Sequence, residues 1–176
     1  MHYPGEVAGG ILISPATRDW HGPPTLYHRI SRWPLLGNLF VRLLIFPVGL
    51  LVMNAGVRSV FHRGRVPRNY RQRTHLSLLL RPDTWRANAD DLCPLNDYLK
   101  ENSREYGWIR HPLLAIVGDH DRVVSNETHT LALKKQIPYL EIVSIAQSSH
   151  LPHHEAPESV ACLIRRFCRN IEITSN

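Results

Sequence analysis

Two short polar segments hold the side chains best suited to proton chemistry. The first, Gly118-Asp119-His120-Asp121-Arg122-Val123-Val124, sets two carboxylates and an imidazole behind an apolar run. The second, Ser148-Ser149-His150-Leu151-Pro152-His153-His154-Glu155, sets three imidazoles and a carboxylate behind another. A carboxylate that accepts the Nδ1 proton of a histidine fixes its tautomer and stabilises the imidazolium, so such a pair orients a general base. The same residue types also serve plainer ends. An aspartate in a post-strand turn caps the next helix, and a loop histidine is often only solvated. Imidazoles and carboxylates suit zinc or manganese as well. The spacing His-Leu-Pro-His-His-Glu is not a helical His-x-x-x-His arrangement, so no metal and no cofactor are assigned.

The elements around these segments decide where they stand. Residues 113–117 (LLAIV) read as a buried strand that stops at Gly118. Residues 126–137 have helical composition, with Asn126 as N-cap. Residues 140–145 (LEIVSI) are the next strand. Residues 155–171 are the last helix. Val160, Leu163, Ile164 and Phe167 form its apolar face, and Arg165, Arg166 and Arg169 face water near its C-terminus. Strand, helix, strand, helix is the pattern of a parallel α/β sheet covered on both faces. Ligands and catalytic groups in such sheets gather beyond the C-terminal strand ends, which is where Asp121 and His150 fall.

A further strand is expected at residues 7–14 (VAGGILIS), entered through Tyr3-Pro4-Gly5 and ended by Pro15. Three strands are too few to complete a sheet of this kind, so it is expected to lack its beginning. Between the first strand and the others, the pattern changes. Pro23, Pro24, Pro34, Pro47, Pro67 and Pro82 punctuate short apolar stretches, and no alternating strand pattern occurs. Residues 35–46 and 48–57 read as helical pieces separated by Pro47. Residues 88–102 read as one helix, with Leu92, Leu95, Tyr98 and Leu99 at three- and four-residue spacing. The expected organisation is a core strand segment at 1–17, a helical cap or lid insertion at 18–105, and a C-terminal core at 106–176 that carries the acid and histidine loops.

Taken together, GDHDRVVSNETH and SSHLPHHEAPESV resemble the closing segment of α/β-hydrolases. That family carries a Gly-x-x-Asp loop after its penultimate core strand and a His-x-Pro-x-x-Glu-x-Pro-like loop after the last. By this resemblance Asp121 is the catalytic acid and His150 the base, 29 residues apart. Asp119 is the weaker alternative for the acid, because the family's usual choice is the third residue after the glycine. The segment HYPGEVAGGILISPA is similar to the one that follows the family's nucleophile helix. The middle block, with LLGNLF, VFHRGRVPRNY and RANADDL, is similar to a cap inserted between core strands. The implied fold is a partial α/β-hydrolase: the last parallel core strands with flanking helices, plus a helical cap.

The departure from the family is as informative. Its nucleophile sits on a Gly-x-Ser-x-Gly turn and precedes acid and histidine in the chain. No Gly-x-Ser-x-Gly occurs in these 176 residues. Ser14, Ser31, Ser59, Ser77 and Ser103 precede Asp121, but none lies between glycines. The resemblance implies that the nucleophile and oxyanion-hole segments, about one hundred residues of a typical fold, lie before the matching part. The expected function is a hydrolase acting on an ester or related bond through a Ser-Asp-His triad, inactive as an isolated chain. The alternative is a non-catalytic binding module, or a half-protein that needs a partner chain.

Composition narrows the partners. The chain is 43% hydrophobic and 20% charged, as globular domains are. Its net charge of +6 comes from scattered arginines such as Arg58, Arg63, Arg65, Arg68, Arg71 and Arg73, with no nucleic-acid-binding motif among them. A solvated basic surface is the reading, and no nucleic-acid partner is expected. Cys93, Cys162 and Cys168 are an odd set without CxxC spacing, which fits a reducing, cytoplasmic location. The start has no basic region followed by an apolar run, so no signal peptide is read. Residues 43–53 are apolar but reach only about half the ~20 residues that span a membrane, so a buried or pocket-lining helix is expected there, with membrane-surface contact as the lesser reading. Leu35, Leu36, Leu39, Phe40, Leu43, Leu44, Phe46, Leu50 and Leu51 suit packing between cap and core, or a small apolar substrate. An open first strand is also expected to promote self-association through the sheet edge.

Overall fold

A computed structural model describes residues 4–19, 25–61 and 65–174. His2 and Tyr3 at the expected strand entry, Pro23, Pro24 and Arg63 lie outside the described residues. The chain divides into two compact units. One comprises Met1–Arg18, Ser59–Val66 and Asn102–Asn176; the other comprises Asp19–Arg58 and Pro67–Glu101. Ser59–Val66, within the expected insertion, thus groups with the sheet.

The first unit is built on three parallel strands in the order β1 (Gly10–Ile13), β2 (Leu113–Gly118) and β3 (Glu141–Ile145). The strand β2 is central, and all of its residues are buried, which is why it reads as an unbroken apolar run. Its side chains alternate between faces. Leu113 and Ala115 pack with Leu133, Ile137 and Leu140, while Leu114 and Ile116 pack with Val160 and Phe167. The crossover between β2 and β3 begins as a π-turn, Glu127–Leu131, and continues as a short helix, Ala132–Gln136, on the first face. The last helix, Pro157–Thr174, covers the second face through Val160, Leu163, Ile164, Phe167 and Ile171. Arg165, Arg166 and Arg169 are exposed, and Arg166 bonds Glu141 at 2.5 Å.

Two local expectations shift in this unit. The first strand spans four residues rather than 7–14, because pairing with β2 begins at Gly10 opposite Leu113. Asn126 stands at the N-cap position without capping. Its amide donates instead to the Gly118 carbonyl at 2.7 Å, and the Thr128 N–H bonds the Ser125 hydroxyl.

The second unit is helical, with no strand among its described residues. Along the chain its elements are α1 (Leu26–Ser31), α2 (Leu36–Phe40), α3 (Phe46–Phe61), α4 (Tyr70–Arg73), α5 (Pro82–Leu92) and α6 (Leu95–Asn102). The last residues of α3 and α6 are counted with the sheet unit. Numbering continues with α7 (Ala132–Gln136), α8 (Pro152–Glu155) and α9 (Pro157–Thr174).

Two prolines act differently from expectation. Pro47 does not separate two helices. A π-turn at Val41–Ile45 joins α2 to α3, giving one continuous helix of 26 residues, Leu36–Phe61. A π-turn shifts the hydrogen-bond partner by one residue and widens the helix, so a proline just beyond it need not clash with the preceding turn. Residues 43–53 are therefore part of a helix long and apolar enough to cross a membrane by length and composition, not an isolated half-length segment. Pro94, by contrast, breaks the helix expected over 88–102 into α5 and α6. It has no N–H to donate, and its ring opposes the carbonyl one turn earlier. Leu99 is buried as expected, while Tyr98 is exposed.

Candidate active site

The acid loop starts at Gly118, the last residue of β2. Asp121 follows in a tight turn. Its Oδ1 accepts the N–H groups of Val123 at 2.8 Å and Val124 at 2.9 Å, which fixes the carboxylate relative to its own backbone. Its Oδ2 lies 2.9 Å from the Nδ1 of His150. An ionised carboxylate only accepts, so this contact puts the proton on Nδ1 and leaves Nε2 as the basic nitrogen. The Asp121 side chain is wholly buried, whereas that of His150 keeps 23% of its surface. Burial alone would raise the Asp121 carboxyl. The hydrogen bond and positive charge of His150, with the Val124 and Val123 N–H groups, outweigh burial and hold it below the usual carboxylate range.

The histidine loop starts beyond β3. Gln147 adopts a left-handed φ of 56°, after which Ser148 and Ser149 are buried. The loop lies directly on the end of β2. The Ser148 carbonyl accepts the His120 N–H at 2.9 Å. A Cβ on Gly118 would stand 2.0 Å from the Ser149 oxygen and 2.4 Å from the Ser148 oxygen. The glycine of the Gly-x-x-Asp segment is thus required by the approach of two backbones. Without that approach Asp121 and His150 would not meet.

The other candidates are placed elsewhere. Asp119 bonds its neighbour His120 at 2.6 Å, so the alternative acid faces a different imidazole. Burial would raise its carboxyl, but the bond and charge of His120, with the backbone at Gln147 and Ser148, bring it below the ordinary value. The rings of His153 and His154 lie against each other at a 45° tilt, with centroids 4.3 Å apart. Burial, then the nearby charges of His154 and His150, push the His153 imidazole down. Among the described residues no three His, Cys, Asp or Glu side chains are grouped to hold a metal ion. In the helical unit, Arg86 bonds the Ser31 carbonyl and Asp90 pairs with Arg32 at 2.8 Å on the surface.

Several residues at this edge carry no sequence signal of their role. His129 is buried, and its Nδ1 accepts the N–H groups of Thr17 at 3.2 Å and Arg18 at 3.1 Å, tying the segment after β1 to the crossover. Glu155 accepts the Ser148 hydroxyl at 2.5 Å and the Ser149 N–H at 2.6 Å. The Ser149 hydroxyl donates to the Phe61 carbonyl at 2.6 Å. The glutamate was visible as a motif member, but its partners were not, because they are set by the loop's path.

No family model matches the sequence, and no curated protein does. Solved structures do. A thermophilic esterase superposes with a TM-score of 0.62 at 20% identity, covering 97% of this chain and 59% of its own. An esterase from Thermogutta terrifontis gives 0.51 at 21% identity, covering 96% of this chain and 58% of its own. An α/β-hydrolase fold protein from Nakamurella multipartita gives 0.54 at 17% identity, covering 94% and 61%. The chain thus spans about three fifths of the length of these proteins. Strand order, the position of the acid and histidine loops, and these superpositions agree: the chain carries part of the α/β-hydrolase fold.

Proposed function

We propose that the chain is the acid-and-base part of a hydrolase acting on an ester or related bond. The observation that carries this reading is the 2.9 Å contact between the buried Asp121 carboxylate and the His150 imidazole beyond the C-terminal ends of adjacent parallel strands. In this reading His150 Nε2 deprotonates a serine nucleophile and later protonates the leaving group. Asp121 holds the ring and stabilises its charged form. The nucleophile and oxyanion-hole donors come from outside these 176 residues, and the 176 residues alone do not turn over esters, because members of a triad act as a unit. The exposed apolar side chains of Leu36–Phe61, among them Leu39, Leu43 and Leu51, suit an apolar acyl or ring-bearing substrate. The three free cysteines fit a reducing, cytoplasmic location.

A serine-reactive phosphonate tests this. The 176-residue chain is expected to remain unlabelled. Stoichiometric, His150-dependent labelling of any of its serines would refute the division of labour.

A second reading, a half-protein that pairs with another chain, is favoured by the sheet's edges. Glu141 on β3 is charged and exposed, which discourages strand addition. The strand β1 is Gly-Ile-Leu-Ile, with no strand on its other edge among the described residues. Self-association through β1 follows. Light scattering is expected to show oligomers, and a monodisperse monomer would count against it.

A further inference from the structure

The loop that presents His150 is clasped from two sides by groups outside the Asp121 contact. Glu155, at the end of α8, reaches back over six residues to the Ser149 N–H at 2.6 Å and over seven to the Ser148 hydroxyl at 2.5 Å, both through Oε2. The two serines are buried, with Ser149 fully inaccessible, so water does not substitute for these bonds. The Ser149 hydroxyl then donates to the carbonyl of Phe61, the last residue of α3, at 2.6 Å.

We propose that Glu155 is a positioning residue for His150, acting through Ser148 and Ser149, with the end of α3 as the second anchor of the same loop. The inference rests on the reading of His150 as the base. The chemistry follows from the bonds. A carboxylate acceptor makes charge-assisted bonds roughly twice as strong as neutral ones, and here both bonds meet one oxygen. They fix the backbone that carries His150, and hence the distance from its Nδ1 to Asp121. Gly118 lets the clasped loop lie on β2. Orientation of a catalytic imidazole to within about 0.5 Å demands support of this kind.

Proton and nitrogen NMR of the 176-residue chain tests it, with two readouts: the hydrogen-bonded Nδ1 proton of His150, and amide exchange at Ser149. Asp121→Asn should abolish the first readout and leave the second. Glu155→Ala should raise Ser149 exchange about tenfold or more and broaden or remove the His150 Nδ1 signal. Glu155→Asp, which keeps the charge but shortens the arm by one methylene, should do the same with the fold retained by circular dichroism. Glu155→Gln retains an acceptor and should restore both readouts toward wild type. Ser149→Ala removes one of the loop's two bonds to the end of α3, leaving the His150 N–H on the Val60 carbonyl at 3.4 Å, and should weaken the Nδ1 signal without the full loss seen in Glu155→Ala. If Glu155→Ala and Glu155→Asp both leave the Nδ1 signal and Ser149 exchange unchanged, Glu155 does not position His150, while the Asp121–His150 pair stands. A wild-type spectrum with no Nδ1 signal sensitive to Asp121→Asn overturns the pair itself, and the positioning role with it.

Discussion

The two units of this chain treat apolar side chains in opposite ways. In the sheet unit every residue of β2 is buried, and the helices on either face supply matching apolar surfaces. The 26-residue Leu36–Phe61 helix, most of which lies in the helical unit, is largely exposed, with Leu43 at 68% and Leu51 at 83% exposure. The sheet unit therefore assembles its own core from the described residues, and the Asp121–His150 contact stands at the end of its strands. The helical unit leaves many of its large apolar side chains exposed, among them Leu36, Leu39, Leu43, Leu44 and Leu51. The contrast separates a core that the sheet unit buries from apolar side chains that the helical unit leaves exposed.

Three tests, using four substitutions, probe how sharp that contrast is. The largest effect is expected at Gly118→Ala. Its methyl group would meet backbone, not a flexible side chain, at 2.0 Å from Ser149. The histidine loop must lift from β2, at a cost of more than about 3 kcal/mol. A urea midpoint equal to wild type would show that the two loops are not packed as described. Next is a matched pair of leucines. Leu114→Ala, at a fully buried position, should cost about 3 kcal/mol, while Leu51→Ser should stay within about 0.5 kcal/mol. Similar losses at both sites in urea titrations would erase the difference between the units.

The smallest effect is electrostatic. The Asp121 carboxyl is held below its ordinary value of 3.8, so folding favours its ionised form. The stability this gives is complete above the unfolded value and is lost as pH falls through the lower, folded value. Wild type should therefore lose stability more steeply than Asp121→Asn below the ordinary value. Parallel stability curves for the two proteins between about pH 5 and pH 2 would show that Asp121 is not held by His150 and the turn.

Legibility in the sequence followed the range of the interactions involved. The run at 113–117 and the face formed by Val160, Leu163, Ile164 and Phe167 are periodic within one element, so local pattern suffices. Asp121 and His150 were legible because chain order and strand ends put both loops at one edge. Pro47 and Pro94 show where local pattern fails. Each has the same covalent restriction, yet one lies within a helix beyond a π-turn and the other ends one. Asn126 carried a cap signature and spent its amide on Gly118 instead, since a nearby strand end offered an acceptor.

The sequence by itself determined which side chains can do proton chemistry, that they follow buried parallel strands, and that no Gly-x-Ser-x-Gly accompanies them. Those are matters of residue type, apolar period and chain order. Only the tertiary structure decided that Asp121 rather than Asp119 faces His150, that Gly118 is the point where two backbones touch, and that Glu155 and Phe61 hold the intervening serines. The physical reason is that each of these depends on where a loop's backbone runs in space. A carboxylate two residues away has the same composition and charge, but a turn rotates it toward a different imidazole.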